Sequence, residues 1–168
     1  YVYDLTVPNN QTFLTESGII VHNTLNSVDW QEKITFVNEK FSSNVKPIGE
    51  LIDNLMLEND NVRKIDNESL TEYLDIKHLN YKILSVNEDG YITYKLIEAI
   101  TRHLPGHDGK LVKIKTNMGR EVIATKSKSF LVRENNNTVE KEGKDLNIND
   151  RIPITINYTS NINKLHYL

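Results

Sequence analysis

The chain has 168 residues and a formal net charge of −3, with a pI of about 6.0; that is length enough for one ordinary domain with a real core. Its basic residues are scattered, with no Lys/Arg-rich run of the kind that tracks phosphates, and no apolar stretch approaches the ~20 residues that span a bilayer. Cysteine is absent, which excludes disulfides, thiolate–zinc sites and a thiol nucleophile, so any nucleophilic chemistry falls to hydroxyl groups.

Strand signals open the chain. Over residues 1–7, Val2, Leu5 and Val7 are interleaved with polar residues, and Pro8-Asn9-Asn10 marks a turn. Gly18 precedes the apolar run Ile19-Ile20-Val21, which predicts a buried strand, and residues 33–37 predict another. A helix is expected over 47–57, where Ile48, Leu51, Ile52, Leu55 and Met56 fall on one helical face and Pro47 suits a first turn. The polar stretch 59–67 reads as loop, and 67–74 as one or two further helical turns. Residues 81–86 and 91–99 flank Asn87-Glu88-Asp89-Gly90 as a hairpin, with Asp-Gly as the turn signal. Residues 110–116 and 120–124 form a second hairpin about Asn117-Met118-Gly119. Strands at 129–133 and 151–156 complete the set, and the Asn-rich stretch 157–168 is expected to fray. Many short strands joined by turns predict a mainly β domain that folds slowly.

The segment Val21-His22-Asn23-Thr24 carries the first chemistry. An internal asparagine can attack its own backbone carbonyl, close a succinimide and cut the chain after itself. The reaction gains from a neighbouring histidine that supplies a proton or hydrogen bond, and from a following hydroxyl or thiol residue. His22, Asn23 and Thr24 are those residue types in that order.

Set in its context of Val2-Tyr3-Asp4-Leu5-Thr6-Val7, Phe13 and Gly18, this segment resembles the C-terminal block of inteins, the protein-splicing domains of the Hint superfamily. The resemblance implies that Asn23 cyclises, that His22 assists, and that Thr24 is the first residue of the downstream extein. Asp4 matches the block's aspartate, which helps the first and second steps; read alone, it could equally cap a turn. A second block, Gly119-Arg120-Glu121-Val122-Ile123-Ala124-Thr125-Lys126-Ser127-Lys128-Ser129-Phe130-Leu131-Val132, resembles the intein motif in which Thr-x-x-His lies between two apolar strands. Thr125 is in place, but Lys128 stands where the histidine belongs. That histidine hydrogen-bonds the scissile amide, whereas an ammonium is no base unless burial lowers its pKa. Lys128 reads either as a solvated strand residue or as an electrostatic or catalytic group. Gln11 also stands where many members carry a histidine.

Ser27-Val28-Asp29-Trp30-Gln31-Glu32-Lys33-Ile34 resembles the start of an intein, although Ser27 in isolation would pass for a surface serine. The end of the intein therefore comes first and its beginning follows. Residues 1–23 are expected to be the C-terminal segment and 27–168 the N-terminal one, with 24–26 as an extein-like linker, all within a single domain spanning 1–168. The four Cα steps from Asn23 to Ser27 reach at most ~14 Å, which suits two junctions that must lie close together. What the resemblance implies is the all-β, horseshoe-shaped Hint fold with one or two short helices, and a cysteine-less split mini-intein of the phage or viral DNA-polymerase type. In the implied mechanism Ser27 makes an N–O acyl shift, Thr24 takes the acyl group and Asn23 cyclises, with no cofactor and no metal. Splicing is expected to be slow or stalled, because attack by Thr24 on the Ser27 ester closes a strained three-residue ring. The expected partners are the extein flanks of a host protein and a complementary intein fragment, with neither nucleic acid nor membrane, in a monomer located in the cytoplasm of an infected cell; no signal-peptide pattern is read at Tyr1.

Other readings weigh less. His103 and His107 have the spacing of a helical metal pair, but Pro105-Gly106 between them breaks a helix. The apolar face of 51–57 is core rather than an endonuclease helix. A catalytically inactive β-domain that only holds two fragments together is the alternative from a different class. A hedgehog-like transferase would require a cysteine.

Overall fold

The structure is a computed structural model that describes residues 1–9, 11–22, 27–38, 40, 42–87, 89–106 and 108–155. Fourteen strands and one α-helix follow one another through these residues: β1 (Val2–Thr6), β2 (Thr12–Leu14), β3 (Ile20–His22), β4 (Lys33–Val37), β5 (Ser43–Pro47), α1 (Ile48–Glu58), β6 (Lys64–Asp66), β7 (Thr71–Asp75), β8 (Lys82–Val86), β9 (Ile92–Leu96), β10 (Ala99–His103), β11 (Leu111–Lys115), β12 (Glu121–Thr125), β13 (Ser129–Glu134) and β14 (Asn137–Glu142). The expected mainly β class is what is found.

The strands pair antiparallel in four groups, ordered β1-β10-β7-β6, β11-β12, β14-β13-β3-β2 and β5-β4-β8-β9. The first twenty-two residues are therefore woven into two different sheets. β1 lies along β10 with Val2 opposite His103 and Asp4 opposite Thr101. β3 joins β13 through Val21 and Phe130, and β2 lies along β3. Val2, Tyr3, Leu5, Val7, Phe13, Leu14, Ile19, Ile20 and Val21 are all buried. At ~25 cal/mol per Å² of apolar surface, this segment is a large part of what holds the fold.

Helix α1 buries Ile48, Leu51, Ile52, Leu55 and Met56, the face its periodicity announces. Pro47 is the N-cap of this helix and also the last residue of β5, opposite Lys33. Its ring cannot donate a hydrogen bond, and neither position asks it to. Gly49 is required by close approach, because a Cβ there would lie 1.9 Å from the Trp30 ring.

Several local expectations are corrected. Residues 71–75 form β7 rather than a helical turn, and β6 occupies part of the stretch read as loop. Thr71, Tyr73 and Asp75 alternate with the more buried Glu72 and Leu74, a period of two that the helix reading overlooked. The apolar run through 91–99 divides at Ile97-Glu98 into β9 and β10, each in a different sheet. Within 151–156, the described residues form no ladder strand: Ile154 makes an isolated bridge to Ile19, and residue 156 lies outside the described residues. β2, β5 and β14 were not anticipated.

Candidate active site

Ser27 and Val28 run as a short extended segment between β1 and β12. Val28 bridges Tyr3 on one side and Ala124 on the other. The Tyr3 and Val28 amides donate to each other's carbonyls at 2.9 Å. Thr125 N–H donates to the Ser27 carbonyl at 2.9 Å, and Ser27 N–H donates to Thr125 Oγ1 at 3.2 Å. Thr125 thus clasps both backbone groups of Ser27, which is 0% exposed. The surface-serine reading of Ser27 is corrected by this burial: its backbone is held by two strands and its hydroxyl lies inside.

That hydroxyl meets a residue which sequence reasoning had placed elsewhere. Ser27 Oγ is 2.8 Å from His103 Nε2. The other ring nitrogen, Nδ1, is 2.8 Å from the Leu104 carbonyl oxygen, an acceptor only, so Nδ1 carries the proton. His103 ends β10. His107, the other histidine of the metal-pair spacing that Pro105-Gly106 argues against, lies outside the described residues. The available signal was the period-two alternation that puts Thr101 and His103 on one face of a strand; it was lost when the strand was ended at residue 99.

The same face of the β1–β10 ladder carries Asp4, diagonal to His103 across the register. Asp4 Oδ1 accepts from Lys128 Nζ at 2.9 Å. Lys128 is 0% exposed, lies in the turn between β12 and β13, and its ammonium is 5.3 Å from the centroid of the Phe13 ring. The solvated-strand reading of Lys128 is overturned. Nor does Asp4 cap a turn, since it sits within β1 and is buried. Burial pushes the Asp4 carboxyl up to about 6, although the Lys128 charge and the Leu5 N–H pull it back down. Burial likewise holds the Lys128 ammonium below its ordinary range, against the opposing pull of Asp4. Desolvation outweighs pairing on both partners.

His22 closes β3. Its Nε2 is 3.3 Å from Glu140 Oε1, and its buried Nδ1 has no hydrogen-bond partner among the described residues. Burial lowers its pKa, with Glu140 raising and Lys128 lowering it in turn. In the neutral ring the proton stays on Nε2, beside the carboxylate, and Nδ1 is left as the basic nitrogen. Asn23 and Thr24 lie outside the described residues. Among the predicted site residues, the structure thus brings together Ser27 with Thr125 and Asp4 with Lys128, and it sets His22 at the end of a strand leading toward residue 23.

The opposite face of the ladder is a support. Tyr3 Oη donates to Asp53 Oδ2 at 3.2 Å, Trp30 Nε1 donates to the same oxygen at 2.9 Å, and Arg102 reaches Asp53 at 2.6 Å and Glu72 at 2.9 Å. Helix α1, β1, β7 and β10 are tied through these bonds, so the strand ends that carry Asp4 and His103 are held in register.

Comparison with known proteins agrees with this architecture. The chain is similar, at 36% identity over 135 residues, to the DNA-directed RNA polymerase subunit Rpo1C of Methanocaldococcus jannaschii; the match covers 80% of this chain but only 15% of that protein. Among solved structures, the transcription factor IIB Mvu mini-intein matches with a TM-score of 0.64 at 24% identity, over 73% of this chain and 65% of that one. The PabCDC21-1 intein matches with a TM-score of 0.60 at 19% identity, over 74% and 70% respectively. These likenesses show the Hint-type intein fold. The family model described as the Intein splicing domain matches residues 34–167, and on that match the chain belongs to the intein splicing-domain family.

Proposed function

We propose that this chain is a self-splicing domain with its two segments in swapped order: residues 1–23 as the C-terminal segment, 24–26 as an extein-like linker and 27–168 as the N-terminal segment. The observation that carries this reading is the seating of Ser27, a fully buried serine whose amide and carbonyl are both held by Thr125. A serine so placed has its hydroxyl and its scissile amide fixed relative to each other, as an N–O acyl shift requires. In the first step Ser27 Oγ attacks the Asn26 carbonyl and exchanges the amide for an ester. Thr24 then takes over the acyl group. Asn23, assisted by the neutral His22 imidazole, cyclises and releases the extein, and an O–N shift restores a peptide bond. Donors about the tetrahedral intermediates supply electrostatic stabilisation. The buried Lys128–Asp4 pair places a cation–carboxylate couple on the face shared with His103, where it acts through the field and not as a base.

The finer identity belongs to the same proposal: a cysteine-less split mini-intein of the phage or viral DNA-polymerase type, monomeric, cytoplasmic, and acting on the flanks of a host protein without nucleic acid or membrane. A second reading, an inactive domain that only holds complementary fragments together, draws support from Lys128, because the motif's histidine is replaced by a side chain already engaged with Asp4.

Intact mass of the purified chain at neutral pH, followed over hours beside Asn23→Ala, tests both. Slow, partial scission next to Asn23 or Ser27 that the variant slows is the expected result. A mass that stays constant in both chains favours the inactive reading. Rapid and complete loss of the Thr-Leu-Asn tripeptide would overturn the stalled character proposed for this arrangement.

A further inference from the structure

We propose that His103 is the general base, and then the general acid, of the first step: the base that the Thr-x-x-Lys motif lacks is supplied from β10. The inference rests on the reading of Ser27 as the upstream nucleophile and adds to it a residue from outside the recognised motifs.

Three observations carry it. The imidazole and the hydroxyl are in hydrogen-bond contact at 2.8 Å, inside the range a general base needs. The tautomer is set by the structure, because Nδ1 faces a carbonyl that can only accept. A neutral ring there presents a bare Nε2 lone pair to the Ser27 O–H, so the hydroxyl donates. This is the logic of a nucleophile, a base and a third group that orients the base, with the Leu104 carbonyl as the orienting group. Finally, the Lys128 ammonium donates to Asp4 Oδ1 in a buried ion pair, and an ammonium has no lone pair with which to take the Ser27 proton.

The step balances without a co-reactant. Ser27 Oγ–H gives its proton to His103 Nε2 as Oγ bonds to the Asn26 carbonyl carbon. The tetrahedral adduct collapses by breaking the C–N bond between Asn26 and Ser27. The imidazolium returns the proton to the departing Ser27 nitrogen, which leaves an ester and a free amine. One imidazole can serve both atoms, because Oγ and N belong to one residue and are joined only through Cα and Cβ. Thr125 Oγ1, already the acceptor of the Ser27 N–H, holds that nitrogen in place while its bond breaks. His103 is tied to the rest of the site by register: Val2 lies opposite it on β1, and Asp4 is one diagonal away.

The test uses the full chain carrying Asn23→Ala, with hydroxylamine to trap the ester and mass spectrometry to read cleavage between residues 26 and 27 across pH. His103→Ala is expected to slow cleavage by about 10²- to 10⁴-fold, to remove the imidazole limb of the pH–rate profile, and to be partly rescued by added imidazole. In a Ser27→Cys background, where the thiol ionises far more readily, the same substitution is expected to cost less than about tenfold; activity there also shows that the variant folds. If Ser27→Ala abolishes cleavage while His103→Ala keeps the parent rate and profile, the role of His103 is overturned and the nucleophile stands. Equal slowing in the serine and cysteine chains without imidazole rescue reduces His103 to a packing residue and likewise overturns the proposal. Cleavage that survives Ser27→Ala, or a parent chain that hydroxylamine does not cut, overturns the nucleophile reading itself and this inference with it.

Discussion

Lys128 and Asp4 illustrate how a buried ion pair is held by the fold rather than holding it. Both side chains are almost wholly removed from water, and burial drives each toward its neutral form. The pair therefore gains little over an apolar pair of similar volume, while breaking it leaves a lone buried charge. Lys128→Met is expected to lower stability by roughly 3–5 kcal/mol, and Asp4→Asn combined with Lys128→Met to recover most of that loss. Urea unfolding of the single and double variants measures both. A single variant as stable as the parent would show that the pair is solvated in solution.

Among the elements, the two-stranded ladder of β11 and β12 is attached partly through a carboxylate, beside the backbone bonds that tie Ser27 and Asp29 to β12. Glu32 Oε1 accepts from Ile123 N–H at 2.7 Å, next to the bond from Asp29 N–H to the Ile123 carbonyl. Burial, the largest cause, raises the Glu32 carboxyl to about 7; the Ile123 N–H and Lys113 act against the rise, and Asp29 and Glu121 add to it. A folded-state pKa above the unfolded value means that the folded protein holds this proton more tightly. The stability it brings is complete below about 4.5 and is lost as pH rises through about 7. Glu32→Gln keeps an acceptor for Ile123 but has no proton to lose. The variant is expected to gain on the parent between pH 4.5 and pH 8, on the order of 1–2 kcal/mol once screening at this part-exposed site is allowed for. Denaturation midpoints of the two proteins at the two pH values check this. A difference that does not change with pH would mean that Glu32 titrates in the folded state as it does in the unfolded chain.

For the molecule as a whole, the decisive feature is that residues 1–22 supply strands to two sheets that the remainder of the chain cannot complete. Without them β10 loses its pairing with β1, in which Leu5 lies opposite Ile100, and β13 loses β3, in which Val21 lies opposite Phe130. Residues 27–168 prepared alone are expected to be expanded, with weak near-ultraviolet dichroism, and to become ordered on adding a peptide of residues 1–23 that carries Asn23→Ala. The single tryptophan reports the event, because Trp30 Nε1 and Tyr3 Oη converge on Asp53 Oδ2. Emission from Trp30 that is the same before and after mixing would show that the larger piece folds without the smaller.

Much of this was legible in the residues alone. The β class, α1, the two Gly-containing hairpins and the family resemblance all rest on local information: period-two and helical spacing, turn residues, and short motifs whose chemistry depends on neighbours in sequence, such as His22-Asn23-Thr24. Ser27 and Thr125 could be named because each sits in such a motif. What the linear chain could not show was which distant side chains meet. Lys128 reads either as a solvated residue, as a lone lysine usually is, or as an electrostatic group of its motif, and only the packing of the β12–β13 turn against β1, which buries it on Asp4, decides between them. His103 carried no role in the sequence: its spacing to His107 suggests a metal pair that Pro105-Gly106 rules out, and no motif contains it. Its approach to Ser27 follows from the antiparallel register of β10 with β1 and from the threading of Ser27-Val28 between β1 and β12. Register is set by the burial of one whole face of a strand against the rest of the core, which is a property of the assembled sheets and of no single segment.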